Sequence, residues 1–358
     1  MGSSKLRWGV LSTADIARSK WIPGVRRAPE QRGEVVAIAS RSADVARRVA
    51  DELRIPRAHG SYEALLADPD VDAVYVPLPN HLHLEWVIAA ARAGKHVLCE
   101  KPLALSSTDA QRMVDACDAA GVQLMEAFMY RLHPSWQAVR AIVSSGRIGR
   151  LQSVQSWFSY WNDDPANIRN QADAGGGALM DIGCYSINLS RLLFGSEPER
   201  VEASCVRDPD MGIDVLTSAL LVFPGGGTAT FTCSTRAESD QRVHVYGTEG
   251  RISVEIPFNI PPDRETHVFM THGGDPPVAP NTETLTFPIA DPYGVEADAF
   301  AAAVLDGTPV PTPPADGVAN MRVIEQVFAA AARGSAATRE STSARESASA
   351  RGSASERG

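Results

Sequence analysis

The sequence predicts an α/β chain of two domains. A doubly wound parallel sheet occupies residues 5–128, and an α+β domain with a large, mostly antiparallel open sheet occupies residues 129–333. Three observations lead there. Up to about residue 148, short apolar runs alternate with helix-like stretches, as in a parallel sheet covered on both faces. Beyond residue 149 the chain turns to strand-like runs joined by Gly- and Pro-rich turns. The length of 358 residues also accommodates two cores at about 150 residues per domain.

Residues 7–11 form the first expected strand, followed by 35–39, 72–77, 96–99 and 122–125. Several of these are continuous apolar runs, as buried parallel strands require. Residues 42–53, 81–93 and 108–119 read as helices between them. The last follows Ser106 and Ser107, suited to an N-cap, and stops at Gly121, suited to a C-cap. Residues 150–161 read as one long strand, and 177–194 as a helix ended by Gly195 and Pro198. Within the strand-rich stretch 201–257, residues 220–223 and 228–232 flank Pro224-Gly225-Gly226-Gly227, a hairpin pattern. Residues 296–305 and 318–332 return to helix and are expected to cover one face of the second sheet.

From residue 334 to 358 the only apolar side chains are alanines, and Arg339, Arg345, Arg351 and Arg357 recur every six residues. Such a segment has too little apolar surface to offset the entropy of ordering it, so a disordered Ser/Arg/Ala-rich tail is expected.

Composition excludes several functions. Lys and Arg total 34 against 43 Asp and Glu, a net charge of −9. A protein built to hold a phosphate backbone needs the opposite balance, so no nucleic-acid partner is expected. The five cysteines (Cys99, Cys117, Cys184, Cys205, Cys233) are odd in number and form no C-x-x-C pair. Neither a disulfide framework nor a metal site is expected, and the usage suits a reducing cytoplasm. No apolar run reaches the roughly 18 residues of a membrane helix. Met1 to Lys5 is too short and polar for a signal peptide, and Leu6 stands where a myristoylation signal has Ser or Thr.

The candidate site residues cluster at expected strand ends. After the first strand come Ser12, Thr13, Ala14, Asp15 and Ile16, where a dinucleotide fold places its glycine-rich turn and rests a pyrophosphate on a helix N-terminus. Ser replaces the first glycine, Ala the second, and Ala17 is a permitted third. After the second strand stand Ser40 and Arg41, where an NAD site has a carboxylate for the ribose. A guanidinium with hydroxyls suits a 2′-phosphate and implies NADP. Pro79, Asn80 and His83 follow a later strand, with Asn80 expected to N-cap the next helix. One strand further, Glu100-Lys101-Pro102 lies at the same edge. In the second half, Gly175-Gly176-Gly177 opens a helix on which Asp181 and Tyr185, four residues apart, share one face.

Glu100-Lys101-Pro102, Pro79-Asn80-x-x-His83 and the glycine run leading to Asp181-x-Gly183-x-Tyr185 together resemble the Gfo/Idh/MocA oxidoreductases over roughly residues 5–333. Tyr185 is similar to the residue of the branch holding NADP-dependent xylose dehydrogenases, dihydrodiol dehydrogenases and deoxysugar 3-ketoreductases. Asp164-Pro165-Ala166-Asn167-Ile168-Arg169 is similar to the sugar dehydrogenases of that branch. The resemblance implies a Rossmann domain binding NADP in preference to NAD through the residues above, with Glu100, Lys101 and Arg169 also near the cofactor. It implies a sugar-like substrate and a homo-dimer or homo-tetramer. It further implies that Lys101, Tyr185 and Asp181 are catalytic. Tyr185 would exchange a proton with the substrate oxygen, Lys101 would draw the phenol's pKa down from its usual value of about 10, and Asp181 would hold a substrate hydroxyl. Glu100 would orient Lys101. An NAD-assisted glycosidase and a non-catalytic nucleotide-binding sensor are the alternatives within the same superfamily.

Overall fold

The computed structural model describes residues 5–273 and 281–355, with only the backbone from residue 335 onward. Residues 1–4, on which the leader reading rests, and 356–358, the end of the expected tail, lie outside the described residues.

The first sheet comprises β1 (Leu6–Leu11), β2 (Gly33–Ala39), β3 (Arg57–His59), β4 (Ala73–Val76), β5 (His96–Glu100) and β6 (Leu124–Ala127). Its strands are all parallel, in the order β3-β2-β1-β4-β5-β6. The order reverses between β1 and β4, and the crevice outside their carboxyl ends is where an open α/β sheet binds ligands. Around it lie α1 (Ile22–Arg27), α2 (Ala43–Leu53), α3 (Tyr62–Leu66), α4 (His83–Arg92) and α5 (Ser107–Ala120). The local signals act as anticipated on α5: Ser106 accepts from the Asp109 N–H, and Gly121 closes the helix at φ +67°. β6 begins two residues later than expected, after Val122 closes the turn by donating to Cys117 O.

α6 (Pro134–Ser144) leads into the second domain, where β7 (Leu151–Trp161) runs through the middle of an eight-stranded sheet and α7 (Cys184–Phe194) packs on it. The other strands are β8 (Arg200–Arg207), β9 (Asp214–Val222), β10 (Thr228–Ser234), β11 (Arg236–Gly247), β12 (Gly250–Val254), β13 (Thr266–His272) and β14 (Thr282–Phe287). Only β7 and β10 pair in parallel; the rest is antiparallel, including the expected β9–β10 hairpin. β13 and β14 extend the sheet beyond the anticipated stretch. β14 (Thr282–Phe287) is half threonine, and the apolar run within β13 is only Val268 to Met270, too short to be read as a strand from sequence.

α8 (Pro292–Asp306) departs from expectation. Rather than covering the second sheet, it packs back on the first domain. Phe300 lies 5.2 Å from Trp8 between ring centroids, and Trp8 is edge-on to Trp21 at 5.1 Å. Trp21 in turn stacks on Tyr75 at 4.2 Å. Asp298 accepts from the N–H groups of Glu30 and Arg32 at 2.6 and 2.8 Å. The reason is general: a parallel sheet is buried on both faces, and α1, of six residues, is too short to cover this face alone. The first domain is therefore completed by residues near the far end of the chain, which a division by sequence order misses.

α9 (Pro314–Ser355) touches β8, α5 and α7. Its helical backbone continues through most of the segment that composition assigns to a disordered tail. Alanine, arginine and glutamate, 11 of the 22 residues from 334 to 355, are good helix formers, while the Ser, Thr and Gly between them are weaker ones.

Candidate active site

β1 ends at Leu11 and the chain turns through Ser12, Thr13 and Ala14 into a helical segment. Ser12 adopts φ +146°, a conformation that favours glycine, and its Oγ accepts from the Ala14 N–H at 2.8 Å. The serine thus occupies the glycine place with a glycine-like backbone. Thr13, Ala14 and Ile16 are half-buried, Asp15 is exposed, and Ala17 is buried beneath the turn. After β2, Ser40 Oγ accepts weakly from the Ser42 N–H, Ser42 caps α2, and Arg41 between them is exposed. These residues fit a dinucleotide phosphate: a turn of small side chains, a helix N-terminus at the carboxyl edge of the sheet, and an exposed guanidinium one strand away.

At the next strand end the structure corrects two expectations. Asn80 does not cap α4; it opens a short 3₁₀ turn, and its side-chain amide donates to Gly175 O at 2.9 Å, tying the first domain to the glycine run of the second. His83 is fully buried in the core, not turned to the cleft. Its Nε2 lies 2.8 Å from Leu78 O and its Nδ1 3.1 Å from Pro102 O. It braces the two strand-end loops instead of meeting a cofactor, and burial pushes its imidazole below the usual value. Pro79 is half-buried beside this turn.

Glu100 and Lys101 close β5. The Glu100 carboxylate accepts from the Tyr75 hydroxyl at 2.5 Å and from the Lys101 backbone N–H at 3.3 Å. It therefore fixes the backbone of Lys101, while the Lys101 ammonium turns away to the second domain. That ammonium donates to Asp181 O at 2.6 Å and Asp181 Oδ1 at 3.2 Å, and lies 5.0 Å from the Tyr185 ring centroid.

The glycine run makes the opposing wall possible. A Cβ on Gly176 would lie 2.4 Å from Arg169 O, and one on Gly177, at φ +114°, 2.2 Å from Asp214 Oδ1. Asp214 instead receives the Leu179 N–H at 2.8 Å and anchors the π-type turn Leu179–Gly183 that carries Asp181. Arg169 Nε donates to Asp181 Oδ1 at 3.3 Å, while Asn167 spends its side chain accepting from the Arg169 N–H. From β7, Tyr160 donates its hydroxyl to Asp181 Oδ2 at 2.5 Å. Tyr160 carries no motif, and only its place on the strand opposite Asp181 reveals it.

Charge in the cluster is set by competition between burial and pairing. Burial alone would raise the Asp181 carboxyl, but Lys101, Arg169 and the Tyr160 hydroxyl outweigh it and hold it at about 2. Burial would likewise deprotonate Lys101, yet the Asp181 charge keeps its ammonium above the ordinary value. Tyr185 behaves contrary to expectation. Its ring is buried among Phe128, Phe158 and Phe258, and its hydroxyl meets Met129 Sδ at 3.6 Å. Burial raises this phenol well above 10, and the Lys101 ammonium, 5.0 Å from the ring centroid, does not offset it.

The structure thus brings Glu100, Lys101, Asp181, Tyr185 and Arg169 together, with Tyr160 added. It leaves Ser12 to Ile16 and Ser40–Arg41 at the neighbouring strand ends. The Asp181 carboxylate is occupied by protein donors. Among the described residues no cluster of His, Cys, Asp or Glu is suited to a metal ion, and no helix is long and apolar enough to cross a membrane.

Both domains match known families. Residues 6–128 match the oxidoreductase family with NAD-binding Rossmann fold, and residues 136–253 the GFO/IDH/MocA C-terminal domain. The D-xylose 1-dehydrogenase (NADP(+)) 2 of Haloferax volcanii is 42% identical over 332 residues, covering 92% of this chain and 99% of the relative. The trans-1,2-dihydrobenzene-1,2-diol dehydrogenase of mouse (Mus musculus) is 34% identical over 70% of this chain and 74% of its own. A 3-ketoreductase from Actinomadura kijaniata, solved with NADP and TDP-benzene, superposes with a TM-score of 0.83 at 34% identity, covering 91% of this chain and 98% of that one.

Proposed function

From the premise that the chain belongs to the Gfo/Idh/MocA oxidoreductase family, we propose that it interconverts an alcohol and a ketone or aldehyde on a sugar-like substrate, using NADP. The observation that carries this reading is the Lys101–Asp181–Tyr185 cluster at the carboxyl edge of a nucleotide-binding sheet. NADP, when bound, supplies or accepts the hydride. Ser12 to Ile16 offer the turn for its pyrophosphate, and Arg41 the cation for its 2′-phosphate. Relatives named for xylose, a dihydrodiol and a keto-sugar support a hydroxylated ring as substrate.

Tyr185 is protonated at neutral pH, the state that donates to an oxygen gaining negative charge as a carbonyl is reduced. Lys101 places a positive charge beside that oxygen, and Asp181 keeps the ammonium in place. The apolar rings around Tyr185 exclude water from its hydroxyl. Arg169, half-exposed and paired with Asp181, borders the open side of the cluster.

Incubation with NADP and a panel of aldoses, or NADPH and keto-sugars, is expected to change NADPH absorbance with at least one substrate. Tight NADPH binding without turnover on any of them would leave the sensor alternative standing. Arg41→Asp is expected to weaken NADP roughly 10- to 100-fold, the worth of a charge-assisted bond, and to favour NAD. Equal affinities in calorimetric titrations of both cofactors, before and after the substitution, would remove Arg41 from the site.

Self-association is part of the same reading. The open face of the second sheet exposes Trp157 at a depression of about 650 Å³, and Val206 is exposed further along β8. Light scattering on the eluting protein is expected to give at least twice the chain mass of 38.3 kDa.

A further inference from the structure

Asp181 joins the two cations of the site, Lys101 and Arg169, so the side chain that decides its orientation decides the geometry between them. Oδ1 is shared between Lys101 at 3.2 Å and Arg169 at 3.3 Å, whereas Oδ2 has Tyr160 at 2.5 Å. We propose that Tyr160 is a positioning residue: its hydroxyl fixes the Asp181 carboxylate in the orientation that holds the Lys101 ammonium over the Tyr185 ring. This rests on the reading above, in which Lys101 and Tyr185 handle the substrate's proton.

Geometry gives Tyr160 that part. β7 is bonded on both sides, to β10 and β11, as far as Ser159, and Tyr160 follows at once, between the Ser159 and Trp161 pairs with β11. Its strand neighbours Ser159 and Trp161 face the opposite side of the sheet, as the twofold period requires. Arg169, by contrast, sits on a 3₁₀ turn with its side chain 47% exposed. A guanidinium takes a carboxylate best with two parallel bonds. With Oδ2 unclaimed, the Asp181 carboxylate can rotate to give Arg169 both oxygens and withdraw from Lys101. The Tyr160 hydroxyl blocks that rotation. The remaining groups facing Asp181 do not replace it. Cys184 reaches only the Asp181 carbonyl, and Glu100 and Tyr185 are electrostatic neighbours that repel or ignore the carboxylate.

Tyr160→Phe keeps the ring and removes the hydroxyl. NADPH affinity and melting temperature should stay close to wild type, while kcat falls roughly 10- to 100-fold, as for a bond to a charged group. A purely structural role does not move the acid limb of the pH–rate profile. Asp181 loses its charge near pH 2 in the intact site, and removal of a donor to the carboxylate should carry that limb upward, into the measurable range. Carbon-13 NMR of protein labelled at the aspartate carboxyls, assigned with Asp181→Asn, should show the same upward titration without any substrate. In an Asp181→Asn background, Tyr160→Phe should change kcat by less than about twofold, because the two act as one unit. An unmoved Asp181 titration, or equal losses in both backgrounds, overturns the proposal. Failure of the proton-transfer reading would appear separately, as full activity in Tyr185→Phe with the NMR shift intact.

Discussion

Tyr185→Phe is expected to turn over roughly 10²–10⁴-fold more slowly than wild type, the loss typical of a general acid–base group. That equals about 3–5 kcal/mol of transition-state stabilisation. The fold should not suffer, because the hydroxyl's partner is a methionine sulfur, while the ring contacts with Phe128, Phe158 and Phe258 survive in phenylalanine. NADPH affinity should be unchanged. Lys101→Met should lose a comparable factor, and the double variant far less than the product of the two, since they act on the same proton. Steady-state kinetics and NADPH titration on all three proteins check this. Turnover of Tyr185→Phe within threefold of wild type would move the proton transfer to another group.

Phe300→Ala is expected to destabilise the protein by roughly 3–5 kcal/mol, the range for a buried aromatic truncated to alanine. The ring is fully buried against Trp8, and its loss opens a cavity between α8 and the first sheet. Urea unfolding followed by tryptophan fluorescence is a fitting measure, because Trp8 and Trp21 line the cavity. The same experiment tests the domain assignment. If α8 belonged to the second domain, the tryptophan signal of the first would not shift. A loss under about 1 kcal/mol would show that the face is covered without Phe300.

Much of the fold was legible because local chemistry and burial agree along the first domain. Ser106 and Gly121 mark the ends of α5, and the run from Val74 to Val76 is buried on both sides. Thr- and His-rich strands such as β13 lacked that agreement and went unread. The cluster of Lys101, Asp181 and Tyr185 was legible as a pattern, but its electrostatics were not. Spacing along a helix shows that Asp181 and Tyr185 share a face, yet it does not show whether an ammonium meets a phenol at its oxygen or its ring. His83 was misplaced for a similar reason. A histidine after a strand end looks the same in sequence whether it faces a cleft or three backbone carbonyls. Tyr160 was invisible because it acts through Asp181, a partner distant in the chain.

The return of α8 to the first domain also has a temporal side. Chains emerge from the ribosome N-terminus first, at about 5–20 residues per second. Trp8 is therefore made roughly 15–60 s before Phe300, the ring that covers it in the finished protein. Once Ala127 has been made β1 to β6 can pair, but one side of their sheet keeps Trp8 and Trp21 without their cover from α8. The nascent chain thus displays an aromatic, adhesive surface from the completion of β6 until α8 is made. Completion of the first domain waits on translation of the codons for α8, and slowing the ribosome between the codons for β6 and α8 would lengthen the period in which that surface can be captured by a chaperone or by another nascent chain.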